Sequence, residues 1–215
     1  MEGPLAERQG SYDEKLVQIL QSACGIFAEK GYHHASVRDV AAATGVSPAG
    51  LYYYFRSKEE LFLKLLREDL SEWYSQLDAE LDSTAGRVSR TELAELLATS
   101  LSKRPELTRF LCLEAVVLEQ NLDAMEVFRL QHWRRDRMTA VGERLERKVD
   151  GLREGEGIRL LHRVQLLTAA LWPAADPKGA ATYEIGDPDF EVFAIDFEAE
   201  MKRLVVAMLK EWVKG

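Results

Sequence analysis

Apolar residues recur at spacings of three and four along nearly the whole chain, and few stretches alternate with period two. That pattern predicts an all-α protein of about nine helices. The first helix is expected over 12–30, with Leu16, Ile19, Leu20, Ala23, Phe27 and Ala28 on its apolar face and Gly31 as its stop. Two short helices follow. Ser36 stands where an N-cap belongs, with Asp39 three residues on as a variant capping box, and Gly45 ends that helix. Ser47 and Pro48 open the next as N-cap and first helical residue, and it runs to about Phe55. Ser57-Lys58-Glu59-Glu60 is a capping box for a long fourth helix to Leu81, with Leu61, Phe62, Leu65, Leu66, Leu70, Trp73, Leu77 and Leu81 as its apolar positions.

Beyond a linker over 82–89, helices are expected over 90–101, 105–119 and 124–149, and Gly151, Gly155 and Gly157 mark a loop. A helix over 158–172 is expected to break at Pro173 and Pro177. The stretch 174–188, rich in Gly, Pro and Asp, reads as loop. The last helix, over 189–213, carries Phe193, Phe197, Met201, Leu204, Val205, Met208, Leu209 and Trp212 on a wide apolar face. Residues 1–11, punctuated by Gly3, Pro4 and Gly10, read as a flexible tail before a head domain over 12–60 and a larger body over 61–215. There is no internal repeat, low-complexity tract or heptad pattern.

Composition changes this picture in three ways. With 47% hydrophobic and 30% charged residues, the 215-residue chain can bury a sizeable core. No apolar run is long enough to span a bilayer, and the first ten residues lack the apolar stretch of a secretory signal. Cys24 and Cys112 therefore read as free thiols rather than a disulfide, in a cytoplasmic setting. The formal net charge of −8 by itself argues against nucleic acid as a partner, because phosphate binding needs Lys and Arg. The charge is uneven, however. From Lys30 to Lys58 the positive residues are Lys30, Arg38, Arg56 and Lys58, and the acid among them is Asp39 alone. A small positive footprint thus sits on an acidic chain.

The stretch Ser36 to Leu61, SVRDVAAATGVSPAGLYYYFRSKEEL, has the grammar of a helix-turn-helix: two short helices joined by Thr44-Gly45-Val46-Ser47. Val37, Val40, Ala41, Val46 and Leu51 are expected to face inward, and Phe55 to be core. Tyr52, Tyr53 and Tyr54 are consecutive, about 100° apart around the helix, so at least one must be exposed. The stretch resembles the TetR family of transcriptional regulators. Ser-Val-Arg, an apolar helix, Thr-Gly-Val-Ser, Gly, Leu-Tyr, Phe and Ser-Lys-Glu-Glu-Leu follow in the family's order, without a gap over 15–66. The resemblance implies an N-terminal three-helix head that binds DNA and a C-terminal helical body that binds ligand and dimerises. It implies that Ser36 caps its helix against a phosphate and that Arg38 reaches a base edge or phosphate. Ser47, Pro48, Ala49 and Gly50 would lie against the bases, Tyr52 and Tyr53 on phosphate or sugar, and Lys58 on a phosphate at the start of the fourth helix. Tyr54 departs from the family pattern, which has His there, and brings no positive charge. The implied partners are a pseudo-palindromic double-stranded operator, a second copy joined through 158–172 and 189–213, and an unidentified small apolar or aromatic effector; no membrane and no cofactor are implied.

Other residues carry blander readings beside these. His33 and His34 read as loop or as contacts to the DNA backbone, and Arg56 as a solvated charge. The basic run Arg129, Arg134, Arg135 and Arg137 reads as a solvated helix face, with an anion site as its alternative. Phe110, Leu113, Glu114, Val117 and Trp133 are candidate ligand-lining residues. A packed core would use the same apolar residues, Trp133 and Trp172 included, and Glu114 is either exposed or a buried acid that needs a partner. Enzyme readings fail on inventory. His33, His34, His132 and His162 form no metal pair with an acid at helical spacing, and there is no phosphate-binding glycine loop or nucleophile elbow. No catalytic or metal-ligating residue is expected.

Overall fold

A computed structural model describes residues 4–118, 122–176 and 188–212, with side chains from Asp13 to Glu211. The described elements are helices: α1 (Pro4–Lys30), α2 (Val37–Thr44), α3 (Pro48–Tyr54), α4 (Lys58–Ser83), α5 (Arg90–Ser102), α6 (Pro105–Leu118), α7 (Ala124–Lys148), α8 (Glu156–Ala175) and α9 (Phe197–Trp212), with a 3₁₀ segment over Pro188–Phe193. The chain divides into two compact units, one built on the chain up to Leu65 and the other from Leu66 onward.

In the first unit, α1 buries Ile19, Leu20, Ala23 and Phe27, one stripe at helical spacing, while Ala28 is exposed. The helix begins at Pro4 rather than Tyr12, so the segment expected as a tail is helical from Pro4. Proline suits a first helical turn, and the Leu5-Ala6-Glu7-Arg8-Gln9 run is made of good helix formers; Gly10 costs only about 1 kcal/mol. At the other end Gly31, at φ 74°, donates its N–H to the Phe27 carbonyl at 3.1 Å and stops the helix. Thr44 at the end of α2 is doubly tied: its hydroxyl donates to the Val40 carbonyl at 2.8 Å, and Lys15 of α1 donates to its own carbonyl at 3.0 Å. Val40, Ala41 and Leu51 are buried, whereas Val37 and Val46 are only half-buried.

In the second unit, α4 buries Leu66, Leu70, Trp73, Tyr74, Leu77 and Leu81. Two consecutive buried aromatics mean that α4 is covered on adjoining sides. Each polar tip has a partner: the Trp73 indole N–H donates to Ser100 Oγ of α5 at 2.9 Å, and Gln165 Nε2 of α8 donates to the Tyr74 hydroxyl at 2.6 Å. Helices α7 and α8 meet at glycines. A Cβ on Gly157 would lie 2.2 Å from the Gly142 carbonyl oxygen, and one on Gly142 would lie 2.6 Å from the Ile158 nitrogen. Glu146 of α7 accepts the Gly157 N–H at 2.8 Å and so caps α8 from outside. The expected linker is also pinned. Val88 and Val149 are both buried and form an isolated bridge, Val88 N–H donating to the Lys148 carbonyl at 2.8 Å and Asp150 N–H to the Val88 carbonyl at 3.2 Å.

Two expectations near the C-terminus are corrected. Helix α8 does not break at Pro173 but runs through it to Ala175. In a last turn proline removes a single backbone bond, and Asp176 N–H closes the helix on the Trp172 carbonyl at 2.8 Å. The last helix starts at Phe197, not Asp189, because the Asp196 carboxylate accepts the Ala199 N–H at 3.0 Å as an N-cap. Phe193 therefore belongs to the 3₁₀ segment and is 66% exposed, outside the buried stripe of Phe197, Met201, Val205 and Leu209. Leu204 and Met208 are half-buried. The Trp212 side chain, Val213, and 177–187 of the expected loop lie outside the described residues.

Two outcomes test this packing. Gly142→Ala must push two helix backbones apart and is expected to cost at least about 1–3 kcal/mol in chemical denaturation. Asp69 of α4 has a buried carboxylate oxygen with no hydrogen-bond partner among the described residues, and burial, reinforced by Glu72, raises its pKa to about 6. Its folded pKa lies above the ordinary value, so its favourable contribution is complete below about pH 4 and lost as pH rises through 6. Asp69→Asn is expected to raise Tm at pH 8 and to change it little at pH 4. An equal gain at both pH values contradicts this reading.

Candidate nucleic-acid interface

The helix-turn-helix is set by its caps. Ser36 Oγ accepts the Asp39 N–H at 3.2 Å, and the Asp39 carboxylate accepts the Ser36 N–H at 2.8 Å, a complete capping box. The same carboxylate accepts the Ser36 hydroxyl at 2.6 Å and Lys30 Nζ at 2.6 Å. The Lys30 bond, then those from Ser36, hold the Asp39 carboxyl down at about 2. Gly45, at φ 65°, turns the chain after α2. Ser47 Oγ then accepts the Gly50 N–H at 3.0 Å to open α3. A Cβ at Gly50 would stand 3.0 Å from Val46 Cγ1 and 3.1 Å from Ser47 Oγ, so its small size serves the turn as well as the surface. At the start of α4 the Glu60 N–H donates to Ser57 Oγ at 3.1 Å, but the Glu60 carboxylate accepts from Arg56 N–H at 2.6 Å rather than from the cap residue itself.

One tyrosine joins these pieces. The buried Tyr32 ring packs against Phe27 and edge-on against Phe62, with centroids 5.8 and 5.2 Å apart. Its hydroxyl donates to Glu59 at 2.8 Å, and its carbonyl accepts Lys58 Nζ at 2.9 Å while that ammonium lies 4.2 Å from the ring centroid. Burial, then the bond to Glu59, push the phenol's pKa upward, so it stays a donor.

The expected contact residues divide by exposure. Arg38, Ser47, Pro48 and Ala49 are exposed, Tyr52 is 54% and Tyr53 78% exposed, and Arg56 is exposed with them. Ser36, Gly50, Tyr54 and Lys58 are half-buried. Tyr54 takes the Tyr53 ring edge-on at 5.7 Å. Two of the expected phosphate ligands already have internal partners: the Ser36 hydroxyl serves Asp39, and Lys58 serves Tyr32. The Lys30 charge is met by Asp39. Reading the sequence missed Tyr32, Lys15 and the Lys30–Asp39 pair. Tyr32, an aromatic directly behind the Gly31 stop, was the available signal.

In the second unit, Phe110, Leu113, Glu114 and Val117 share one face of α6, with Phe110 and Val117 buried and Leu113 half-buried. Glu114 is not exposed: its Oε1 lies 2.6 Å from Arg134 Nη1, with side-chain exposures of 12% and 11%. The basic run on α7 is therefore not a solvated face throughout. Arg129 and Arg135 are exposed and pair with Glu126 and Asp136, while Arg134 turns inward. Trp133 is half-buried, with the Arg67 guanidinium 5.1 Å above its ring and the Tyr74 ring 6.4 Å away.

A capped pair of short helices ahead of a larger all-helical unit defines the class of helix-turn-helix regulators. The chain belongs to the tetR family of bacterial regulatory proteins, whose family model matches residues 19–65, while that of the tetracycline repressor-like C-terminal domain matches residues 67–210. It is 31% identical over 108 residues to the HTH-type transcriptional regulator RutR of Escherichia coli, a match covering 50% of this chain and 51% of RutR, so it spans about half the length of that relative. Among solved structures it resembles the regulator FadR of Bacillus subtilis in complex with stearoyl-CoA, with a TM-score of 0.55 and 14% identity over 90% of this chain and 96% of that one. It also resembles a transcriptional regulator of Saccharomonospora viridis in complex with choline, with a TM-score of 0.53 and 18% identity over 92% and 96% of the two chains. At those identities the likeness is one of fold.

Burial separates two kinds of tyrosine here. Tyr53→Ala is expected to change stability by no more than about 0.5 kcal/mol in urea unfolding. Tyr32→Ala is expected to cost about 3 kcal/mol or more. Equal costs would mean that Tyr53 packs in a core rather than standing at a surface.

Proposed function

We propose that the chain is a ligand-responsive DNA-binding transcriptional regulator, acting in the cytoplasm as a homodimer on a pseudo-palindromic operator. In this reading it is a repressor that a small effector releases. The observation that carries it is the exposed surface of the capped helix-turn-helix, with Arg38, Tyr52 and Tyr53 projecting from two helices that are otherwise fixed by caps and core. Arg38 reads a base edge or holds a phosphate. Ser47, Pro48, Ala49 and Gly50 lie against the bases, where their small size allows contact with thymine methyls and sensitivity to DNA shape but few hydrogen bonds. Tyr52, Tyr53 and Tyr54 meet the sugar-phosphate backbone. Lys58 keeps two N–H donors beyond its bond to Tyr32 for a phosphate, and Ser36 meets one only by sharing its hydroxyl with Asp39.

Pairing of two copies through α8 and α9 is supported by apolar surface there: Leu166 is 57% exposed, and Leu204 and Met208 are half-buried. Such a dimer sets two recognition helices about 34 Å apart or a little more, to meet successive major grooves. Effector binding in the body favours a different head spacing and lowers DNA affinity, with α4 as the helix common to both units. Phe110, Leu113, Glu114, Val117 and Trp133 line the effector site in this reading. Proteins of this fold in complex with stearoyl-CoA and with choline illustrate how widely its bound ligands differ. No described helix is long and apolar enough to cross a membrane.

The test is a gel shift on DNA flanking the protein's own coding region, at rising salt. Specific retention is expected at low salt. Arg38→Ala is expected to weaken it by about tenfold or more, and Lys58→Ala to reduce the salt slope by about one. No retained fragment, or retention untouched by both changes, supports instead a helical binding module whose head does not grip DNA; the internal commitments of Lys30, Ser36 and Lys58 are what favour that alternative. A monomer at micromolar concentration would contradict the dimer.

A further inference from the structure

The core-facing stripe of α7 runs Leu130, Arg134, Met138, Val141 and Leu145, with Arg137 beside it. Two guanidinium groups thus occupy a face that otherwise carries apolar residues. The pair is not balanced. Glu114 engages one nitrogen of Arg134, and Nε and Nη2 of that side chain are buried without a hydrogen-bond partner among the described residues. Nε of Arg137 is buried without one as well, and Arg137 has no ion pair among the described residues. The Tyr74 hydroxyl stands in the same field: Arg134, Glu114 and Arg137 all act on it. It accepts from Gln165 and keeps its own proton, and burial first of all pushes its pKa up to about 12, so it is a donor at neutral pH. The cluster is rich in donors and holds one acid against two arginines. A buried donor left without an acceptor costs about 1–3 kcal/mol, so an arrangement with several is built to receive an acceptor that carries negative charge.

On α6, Phe110, Leu113 and Val117 share the helix face that carries Glu114, with Phe110 and Val117 buried. We propose that the body binds an organic carboxylate, its anionic end on Arg137, Arg134 and the Tyr74 hydroxyl and its apolar end along the Phe110–Val117 stripe. Guanidinium groups match the planar carboxylate with paired N–H donors. The inference rests on the reading of the body as the effector-binding part and narrows it. Two arginines against one acid disfavour a cationic ligand, and a neutral oxygen meets their donors less strongly than a carboxylate does.

The test is calorimetry on the full-length protein without DNA, using decanoate and 4-phenylbutyrate as probes, with decanol and 4-phenylbutanol as their uncharged counterparts. At least one carboxylate is expected to bind about tenfold or more tightly than its alcohol. Arg137→Met is expected to remove that preference while leaving the alcohol's affinity within about twofold. Glu114→Gln, which keeps an acceptor for Arg134 but frees its charge, is expected to tighten carboxylate binding, and Tyr74→Phe to weaken it. Circular dichroism melts check that each variant folds. If Arg137→Met does not, the opposite shifts of Glu114→Gln and Tyr74→Phe decide. Absence of carboxylate binding, no preference over the alcohols, or affinities unmoved by these substitutions overturns the proposal. Loss of carboxylate binding with operator retention intact would sink the carboxylate site alone, and carboxylate binding without operator retention would sink the regulator reading alone.

Discussion

The head is organised around the environment of Tyr32. Helices α2 and α3, of 8 and 7 residues, are too short to persist alone, since isolated helices below about 12–15 residues are marginal in water. They need a frame. Tyr32 supplies its corner by packing against Phe27 of α1 and Phe62 of α4, donating to Glu59 and receiving Lys58. The end of α1 and the first turn of α4 are thereby tied together. Lys15 ties α1 to the end of α2. Within that frame each short helix keeps a serine cap, and the side chains left over point outward because the inward positions are already filled by Val40, Ala41, Leu51 and Phe55.

The same frame limits the charge the head can offer. Lys30 and Lys58, two of the four positive residues from Lys30 to Lys58, have internal partners, while Arg38 and Arg56 are exposed and enter no ion pair among the described residues. Whatever grip the proposed regulator has on DNA must then come from few charges, aided by hydroxyl groups, backbone N–H groups and the fit of small residues in the groove. A steep salt dependence is not expected of so thin a footprint.

Much of this was legible in the sequence, for local reasons. Capping serines, Gly31 and Gly45 act within a few residues of themselves, so the stops of α1 and α2 and the starts of α2 and α3 follow from local chemistry, whereas the start of α1 does not. The errors arose where a distant or subtle partner decided the outcome. Pro173 did not end α8, because a last turn loses little to it. Asp196 capped α9 later than the apolar pattern alone proposed. Arg134 reads as a surface charge until its phase with Leu130, Met138, Val141 and Leu145 is counted, and then it falls on the buried stripe. The meeting of Gly142 with Gly157 is a tertiary fact that local pattern could not supply. Of the candidate sites, the helix-turn-helix was readable because its signals are contiguous. The polar cluster of Tyr74, Glu114, Arg134, Arg137 and Gln165 was not, because it is assembled from α4, α6, α7 and α8.

In the proposed regulator the outward face of α2 and α3 is a DNA-reading surface presented twice. Hydroxyl-radical footprinting of the full-length protein, on a fragment selected from random duplex DNA, tests it most directly. The predicted result is two patches of backbone protection related by a two-fold axis, their centres about one helical turn (~10 bp) or a little more apart. Unprotected DNA, or a single patch with no symmetric counterpart, would contradict it.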